Sequence, residues 1–527
     1  MTSSDPAALM AEVTDGARMR EVVAQYLIAP DAPRVAVVGC QVEFARRGMF
    51  RNLVQYRVTL RDPVGGDEWT EVVGGVVYDE GRTRSTWAEL QRQPPPSATA
   101  GRRLARVAYV PELDLLLQTF PFDHRLPTLE SLMTGPVPGL VDPLLARFGP
   151  GDWRLEGWNA EPVRYRVDLR ASVRLTVRAS EIRTGSAVER RFFAKIYASA
   201  EEAERAWGIQ REVAAAIEAE HSPLAVAPLV AYLPEARILV QAEAPGVSLL
   251  HLLRFPTGEN VTESNAVRRT ARAIAALHRL GVDPPPSRIT LGRLDPHRLR
   301  RRTDLIRAAQ ADLAPVLAEI EAGVLSGLAA LDEAPAVPVH GDLKPAHVLF
   351  DHDRVVVLDL DKLATGDAMQ DVTNLLIHLG PARRGRTDAR SLARAFVTEY
   401  FAGALAGWEQ RLAPYYAWAL LGEAANVAKI VAQTAVGVAV DRARHEQRLN
   451  FLLEEAQAVL AHEAWLLDPA PTPIPGTSEA DEAVGRLAAD STPPLAKADQ
   501  RQMARQARRE ERRAKRGTRE RGVVGDF

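Results

Sequence analysis

A degenerate internal repeat in the first half of the chain constrains the fold more than any other feature. Residues 107–118 (VAYVPELDLLLQ) match residues 230–241 (VAYLPEARILVQ), and residues 55–61 (QYRVTLR) match residues 164–170 (RYRVDLR) in the same order. Between these anchors each copy carries an apolar-Tyr segment and a Trp, namely Tyr78 with Trp87 and Tyr197 with Trp207. Apolar and polar residues alternate between turn signals, so we expect a small antiparallel sheet plus a helix in each copy. Chance similarity of strand-rich segments is the alternative.

From about residue 260 the pattern changes to helices. Val267, Ile274 and Leu277 fall on one face at helical spacing, with arginines opposite. Further helices are predicted over 308–331, 389–405, 415–433 and 441–467. The apolar region 415–440 is interrupted by charged and amide side chains, which favours a core helix over a membrane span. This half therefore predicts a helical lobe.

Length and composition bound the class of protein. A chain of 527 residues is long enough for two or three domains. A formal net charge of -2 gives no reason to expect nucleic acid or a membrane as the principal partner. The single cysteine, Cys40, excludes an intrachain disulfide and suits a reducing cytosol. We interpret it as a buried small hydrophobe rather than a catalytic thiol.

The two ends of the sequence are also informative. The start MTSSDP lacks the basic and apolar segments of a signal peptide, so a cytoplasmic location is expected. After residue 467 the chain becomes Pro-rich, and it finishes with an Arg-dense stretch at 501–521. We expect a disordered or singly helical tail, either solvated without a function or in contact with nucleic acid or acidic partners. This tail is the only candidate for binding nucleic acid.

The motif with the clearest chemistry is HGDLKPAHVLF at residues 340–350, followed by VVVLDLD at residues 355–361. Phosphoryl transfer needs a carboxylate to orient the attacking hydroxyl, and further ligands to hold magnesium. Asp342 fits the first role. His347 lies where a metal ligand is needed, and Asp359 ends a β-branched strand that would position a second carboxylate.

These residues resemble the catalytic segment of the aminoglycoside phosphotransferase and choline kinase-like family. The resemblance implies an α+β, two-lobed protein-kinase-like fold, with an antiparallel-sheet N-lobe and a helical C-lobe. The family's usual Asn is replaced here by His347, as in the similar macrolide kinases. Neutral imidazole suits softer metals better than Mg²⁺, so the replacement weakens the assignment of His347 as a metal ligand.

The resemblance also implies a nucleotide site in the second copy. Lys195, the lysine of an apolar strand, is similar to the family lysine that contacts the α- and β-phosphates of ATP; an edge charge is the alternative. Its expected partner is Glu212 on the next helix, with Glu204 as the alternative. Adenine would lie by the linker that contains Gln241 and Glu243. Residues 156–162 offer one glycine, which fits a weak phosphate clamp or a hairpin turn equally well.

In the catalytic segment the resemblance implies further roles. Lys344 either meets the γ-phosphate or is a loop cation. Asp361 would share the magnesium site with Asp359, because residues two apart on a strand face the same side. His340 is expected to brace the loop. Gly366, Asp367 and Asp371 look structural, with Asp371 hydrogen-bonded to backbone amides.

The repeat supplies an internal control on these assignments. Aligning Tyr78 with Tyr197 places Val76 opposite Lys195, and aligning the tryptophans places Arg92 opposite Glu212. Both charged positions are lost together in the first copy. That copy is therefore expected to have no phosphate-binding role and to act as a cap, a dimer surface or a wall of the substrate site.

Four segments result: a degenerate duplicate N-lobe-like domain at 1–140, a kinase-like N-lobe at 141–250, a helical C-lobe with the catalytic loop at 251–467, and the tail at 468–527. The resemblance implies an enzyme that uses ATP and Mg²⁺ to phosphorylate a hydroxyl of a small molecule, such as an antibiotic, a sugar or an amino alcohol. A catalytically weak nucleotide-binding scaffold is the first alternative. An enzyme whose substrate is presented by another protein through the first copy is the second. The oligomeric state is not readable from the sequence.

Overall fold

The computed structural model describes residues 6–28, 35–48, 50–92, 103–255, 262–284, 296–332, 335–379, 389–404, 408–433 and 439–462. The strands are β1 (Ala36–Arg47), β2 (Arg51–Arg61), β3 (Glu68–Tyr78), β4 (Val107–Val110), β5 (Leu115–Thr119), β6 (Trp153–Arg166), β7 (Arg170–Glu181), β8 (Ala187–Tyr197), β9 (Leu224–Val226), β10 (Leu229–Leu233), β11 (Ile238–Ala242), β12 (Val247–Ser248), β13 (Val337–Val339), β14 (Val348–Asp351), β15 (Arg354–Val357) and β16 (Ala364–Gly366). The predicted tail at 468–527, including the Arg-dense stretch, lies outside the described residues.

The α-helices are α1 (Pro6–Val13), α2 (Gly16–Tyr26), α3 (Arg82–Gln91), α4 (Leu129–Thr134), α5 (Val141–Leu145), α6 (Ala200–Ala219), α7 (Leu249–Arg254), α8 (Glu263–Arg279), α9 (Pro296–Ala309), α10 (Ala314–Ala329), α11 (Met369–Leu379), α12 (Ala389–Ala402), α13 (Leu412–Gln433) and α14 (Ala439–Ala461). The predicted α+β class, with antiparallel-sheet and helical parts, is confirmed. None of the helices in the described ranges combines the length and apolarity that a membrane crossing requires.

The chain forms two compact units. The first comprises the described residues up to 211 together with 227–244, and the second comprises 212–226 and the described residues from 245 onward. Both five-stranded sheets lie in the first unit. The four-segment division read from the sequence stays a prediction.

The two sheets of the first unit have the same strand order. One runs β1-β2-β3-β5-β4 and the other β6-β7-β8-β11-β10. Their registers also agree: Val76 of β3 lies opposite Leu116, and Lys195 of β8 lies opposite Leu239. This agreement supports the alignment that places Val76 at the position of Lys195.

A pair of stacked rings recurs at matching places in the two copies. Trp87 stacks on Tyr109 and Trp207 stacks on Tyr232, each with a centroid separation of 5.7 Å. In each copy the ring pair joins the helix after the third strand to the fourth strand. A common architecture of the two copies accounts for this recurrence.

One anchor of the sequence repeat is out of register. Leu53 of β2 pairs with Val76, and Ser172 of β7 pairs with Lys195, so β2 corresponds to β7. Residues 164–170 instead span the end of β6, a turn and the start of β7. The match failed because an alternation of period two recurs in every strand and does not fix register. Residues 156–162 form neither the predicted clamp nor a hairpin turn, since β6 runs through them.

The first sheet is covered on both faces. Alternate residues point to opposite sides: Tyr56 and Leu117 pack with α1 and α2, whereas Leu53 and Leu116 pack with α4, α5 and the second sheet. Cys40 of β1 is half-buried and packs against the core that contains Tyr56, Leu117, α1 and α2. Burial raises the pKa of its thiol to about 12, which agrees with a packing role.

The second unit is built on helices, with a small sheet whose strand β14 follows the loop at residues 340–347. That sheet runs β12-β14-β15-β9, and β9 pairs with β15 in parallel. Helix α8 begins after Thr262, whose side chain accepts the N–H of Asn265 at 3.2 Å. Its predicted apolar face is confirmed, since Val267, Ile274 and Leu277 are buried.

Candidate active site

Residues 340–347 connect β13 to β14 in a tight loop that only glycine fits at its second position. Gly341 has φ 75°, and a Cβ there would lie 3.0 Å from the carbonyl oxygen of Lys362. An L-residue is disfavoured at this φ and would also crowd that backbone atom. The His-Gly-Asp spacing thus follows from local geometry.

His340 braces the loop through both ring nitrogens. Its Nε2–H donates to the carbonyl oxygen of Leu358 at 2.8 Å, and its Nδ1 accepts the N–H of Asp342 at 3.3 Å. Its ring also stacks on His347 at 5.6 Å. These contacts leave no nitrogen of His340 for acid-base chemistry, in agreement with its predicted role.

Asp371 of α11 anchors the same loop. The predicted hydrogen bonds from backbone amides to its carboxylate are confirmed. The fully buried carboxylate accepts the N–H of His340 at 2.6 Å and that of Gly341 at 2.9 Å. His278 lies 3.1 Å away through Nε2, and its Nδ1 lies 2.8 Å from the hydroxyl of Tyr400. Burial alone would raise the pKa of Asp371, but the hydrogen bond from His278 leads the contacts that lower it below its usual value.

Asp367 is structural as well. Its Oδ2 accepts from Nε of Arg411 at 2.7 Å, and its Oδ1 accepts the N–H of Met369 at 2.9 Å. These bonds tie the start of α11, and hence Asp371, to the segment that precedes α13.

The carboxylate of Asp342 lies beside two lysine side chains. Nζ of Lys362 lies 3.1 Å from its Oδ2, and Nζ of Lys344 lies 3.4 Å from the same oxygen. Burial opposes ionisation of Asp342, yet Lys362 first and Lys344 second lower its pKa below the usual value. The side chain is therefore a carboxylate at neutral pH, with two cations beside it.

Lys362 was not predicted from the sequence. It follows Asp361 at the end of a short 3₁₀ turn, Leu360–Lys362, which directs it back toward Asp342. The available signal was a lysine three residues after Asp359, but nothing local links it to a residue twenty positions earlier.

His347 presents its outer nitrogen to Asp359. Nδ1–H donates to the carbonyl oxygen of Asp342 at 3.0 Å, so Nε2 carries the lone pair, 3.8 Å from Oδ2 of Asp359. Burial lowers the pKa of His347 to about 4, which keeps the ring neutral. A neutral imidazole beside a carboxylate is a donor set that can bind a divalent cation.

Asp359 is not a strand residue, so one sequence argument was wrong. Strand β15 ends at Val357, and Asp359 has φ 61° before the 3₁₀ turn. The alternation that placed Asp361 on the same strand face as Asp359 therefore does not apply. The role of Asp361 as a metal ligand stays a prediction.

The predicted nucleotide residues Lys195, Gln241 and Glu243 all lie in the first unit. Lys195 is half-buried on β8, between Ser172 and Leu239 of the neighbouring strands. Gln241 is buried, and its Nε2 donates to Oε1 of Gln210 at 2.7 Å.

Glu243 begins the linker after β11 and is held by Arg191. Its carboxylate lies 3.5 Å from the Arg191 guanidinium, and its N–H donates to the Arg191 carbonyl oxygen at 3.0 Å. Because that N–H is already bonded, the linker would have to offer adenine other backbone groups.

Glu212, the predicted partner of Lys195, is exposed on α6, and its Oε1 accepts the N–H of Asp283 at 3.3 Å. The buried polar side chain of that helix is Gln210, which the sequence reading missed. An amide in an otherwise apolar helical run was the signal for it. The ion pair between Lys195 and Glu212 stays a prediction.

Residues 174–414 match the model of the Phosphotransferase enzyme family, APH. The resemblance read from the sequence is confirmed for this stretch. It covers a little under half of the chain and includes Lys195 and the whole catalytic loop. No curated protein matches the chain.

Several solved structures are also similar. They include a choline/ethanolamine kinase family protein from Mesorhizobium loti (17% identity, 68% of this chain and 99% of that chain covered, TM-score 0.38). A macrolide 2'-phosphotransferase from Brachybacterium faecium has 20% identity, covering 64% of this chain and 100% of that one, with a TM-score of 0.32. An aminoglycoside phosphotransferase from Alicyclobacillus acidocaldarius has 14% identity, 62% and 96% coverage and a TM-score of 0.42. The likeness to this family rests on the match of residues 174–414.

Proposed function

We propose that this chain transfers the γ-phosphate of ATP to a hydroxyl group of a small molecule. The observation that supports this most strongly is the state of Asp342, an ionised carboxylate flanked by Lys344 and Lys362 inside the family-matched stretch. Phosphoryl transfer depends on positioning and charge stabilisation, which this arrangement supplies.

Asp342 accepts a hydrogen bond from the attacking hydroxyl and orients its oxygen. A carboxylate whose pKa is lowered is a weak base, so it acts mainly by orientation and takes the proton late in the transfer. Lys344 and Lys362 offset the negative charge that gathers on the transferred group. Of the two, Lys362 lies closer to Asp342.

Magnesium would be held by Asp359 and Asp361, with Nε2 of His347 as a nitrogen ligand. The residues fit a divalent cation, because a neutral imidazole nitrogen of His347 lies 3.8 Å from a carboxylate oxygen of Asp359. When bound, the cation neutralises phosphate charge. A nitrogen ligand favours Mn²⁺ relative to Mg²⁺ more than the usual Asn oxygen does.

Lys195 would contact the α- and β-phosphates, with Glu212 as its predicted ion-pair partner and Gln241 and Glu243 beside the adenine. The first copy does not share this role. Val76, at the position equivalent to Lys195, is fully buried among apolar side chains. We propose that the chain binds one nucleotide and that the first copy is a cap, a dimer surface or a wall of the acceptor site.

The acceptor belongs to the class of antibiotics, sugars and amino alcohols, and the proposal places the enzyme where ATP is available, in the cytoplasm. ADP release across such an acceptor panel, with Mg²⁺ and Mn²⁺ in turn, tests the activity. Asp342→Asn should lower acceptor-dependent release by about 10²–10⁴-fold. Asp353→Asn, the same change at an exposed hairpin turn, should not.

A nucleotide that binds without any Asp342-dependent ADP release would instead indicate a catalytically weak scaffold. Deleting residues 1–140 addresses the other alternative, in which a partner protein presents the substrate through the first copy.

A further inference from the structure

A buried polar cluster lies within the first unit and includes none of the residues assigned above to the nucleotide, the cation or the transfer reaction. We call it the inter-sheet cluster, and it consists of Gln118, Asp123, His124, Asp168 and Tyr78. Gln118 is in β5, Asp123 and His124 follow that strand, and Asp168 forms the turn between β6 and β7. Gln118 and Asp168 are 0% exposed and Asp123 is 1% exposed. Two carboxylates so deep in a protein need compensation.

Asp123 is fixed by three donors. Its Oδ2 accepts the hydroxyl of Tyr165 at 2.8 Å and the N–H of Asp168 at 2.7 Å, while its Oδ1 accepts the N–H of Arg125 at 2.9 Å. Hydrogen bonds of this kind orient carboxylates that bind metals, and Oδ1, which accepts only one of them, keeps lone-pair capacity.

His124 is oriented by Tyr78. Its Nε2 lies 2.8 Å from the Tyr78 hydroxyl, which in turn lies 3.2 Å from Oδ2 of Asp168. If the hydroxyl donates to Asp168, it must accept from Nε2–H, and Nδ1 is left with the lone pair. Burial lowers the pKa of His124 to about 4, so the ring is neutral.

The opposite side of the ring meets acceptor atoms. Nδ1 lies 2.9 Å from Oε1 of Gln118 and 3.5 Å from Oδ1 of Asp168. Among the described residues Oδ1 of Asp168 receives no hydrogen bond, although its companion Oδ2 is 3.0 Å from Nε of Arg51. The imidazole nitrogen and the carboxylate oxygen thus converge beside an amide oxygen that already accepts the backbone N–H of His124 at 3.0 Å.

We propose that Asp123, His124 and Asp168, with Oε1 of Gln118, bind a divalent transition-metal cation. One ligand atom from each of the first three residues lies within 4.8 Å of the others. Ligands bound at about 2.0–2.2 Å stand roughly 3–3.5 Å apart around one ion, which matches the spacing of Nδ1 to its two neighbours. A mixed nitrogen and oxygen set favours Zn²⁺, Mn²⁺ or Co²⁺ over Mg²⁺ and Ca²⁺.

The bound cation would fasten the end of the first copy to the second. Gln118, Asp123 and His124 belong to the segment that leaves the first sheet, whereas Asp168 belongs to the second sheet. Arg51 and Tyr78 would be outer partners of Asp168 and His124, as is common around metal ligands. The site would therefore stabilise the first unit rather than take part in the transfer reaction.

Metal content and Co²⁺ absorption of the full-length protein test the site. The Asp359→Asn, Asp361→Asn background removes the cation site proposed for the nucleotide. After chelation and desalting, this background protein should take up one Co²⁺ per chain with visible ligand-field bands, and Zn²⁺ should displace it. His124→Gln should weaken Co²⁺ binding by more than about 100-fold, and Tyr78→Phe, which keeps all four ligands, by about 10-fold.

His352→Gln is the matched control, since that side chain is 96% exposed, and it should leave Co²⁺ binding unchanged. The wild-type and background titrations need no change in the cluster, so they remain decisive if a cluster variant fails to fold. Absence of Co²⁺ bands in the background protein would overturn the proposal and indicate that a shared proton compensates the cluster. Equal Co²⁺ binding by folded His124→Gln would overturn it too.

Discussion

Replacing Asp371 by alanine should destabilise the second unit more than any exposed substitution. The change leaves the N–H groups of His340 and Gly341 and the Nε2 of His278 without their common acceptor, at a place that water does not reach. A buried donor left unpaired costs about 1–3 kcal/mol, and removing one member of a buried charged network costs about 3–5 kcal/mol. Because the three lost hydrogen bonds share one site, we expect a loss of about 3 kcal/mol in the free energy of unfolding, the lower figure for a buried charged network, rather than the sum of three separate losses.

Thermal unfolding followed by circular dichroism measures this effect. For a unit of this size about 1 kcal/mol corresponds to about 2–4 °C, so Asp371→Ala should lower the melting temperature of the second unit by about 6–12 °C. Asp353→Ala, at the exposed turn between β14 and β15, should change it by less than about 2 °C. A shift for Asp371→Ala no larger than that of the control would refute the reasoning.

The remaining predictions concern the loop and its pH dependence. Lys362→Met should raise the pKa of Asp342, because it removes the cation that lowers that pKa most; the acid limb of the rate profile then moves to higher pH. Gly341→Ala should cost about 1–3 kcal/mol and most of the activity, since φ is 75° there and Lys362 blocks the added carbon, and urea unfolding measures the loss. His347→Asn should lower the ratio of Mn²⁺-supported to Mg²⁺-supported turnover, because an oxygen ligand replaces nitrogen. The lowered pKa of Asp371 means that its stabilisation is present above the unfolded value of about 3.9 and is lost as pH falls through the lower folded value; acid unfolding of Asp371→Asn should therefore be less steep than that of the parent.

The sequence located the catalytic loop because its signal is local. His340, Gly341 and Asp342 are adjacent, and their backbone path requires a glycine at the centre. Asp371 was also predictable, since the resemblance to the family extends to a downstream Asp at this place. In both cases short sequence separation, or a motif that spans the separation, preserved the information.

Contacts made by tertiary folding were not predictable in the same way. Lys362 reaches Asp342 only because Asp359 turns into a left-handed conformation, which an expected strand concealed. Asp123 and Asp168 are forty-five residues apart and meet only through the packing of two sheets. The register of the repeat failed for a related reason, since β-strand alternation repeats without marking position.

The most direct test of the account is single-turnover transfer of radiolabelled γ-phosphate from ATP to an acceptor, measured beside nucleotide affinity in the parent and in Asp342→Asn. Orientation by a carboxylate contributes about 10²–10⁴-fold to a transfer rate. We predict that Asp342→Asn lowers the transfer rate within that range, while nucleotide affinity changes less than about threefold, because the role proposed for Asp342 is to orient the acceptor. Equal transfer rates in the two proteins would contradict the assignment of Asp342 and with it the proposed mechanism.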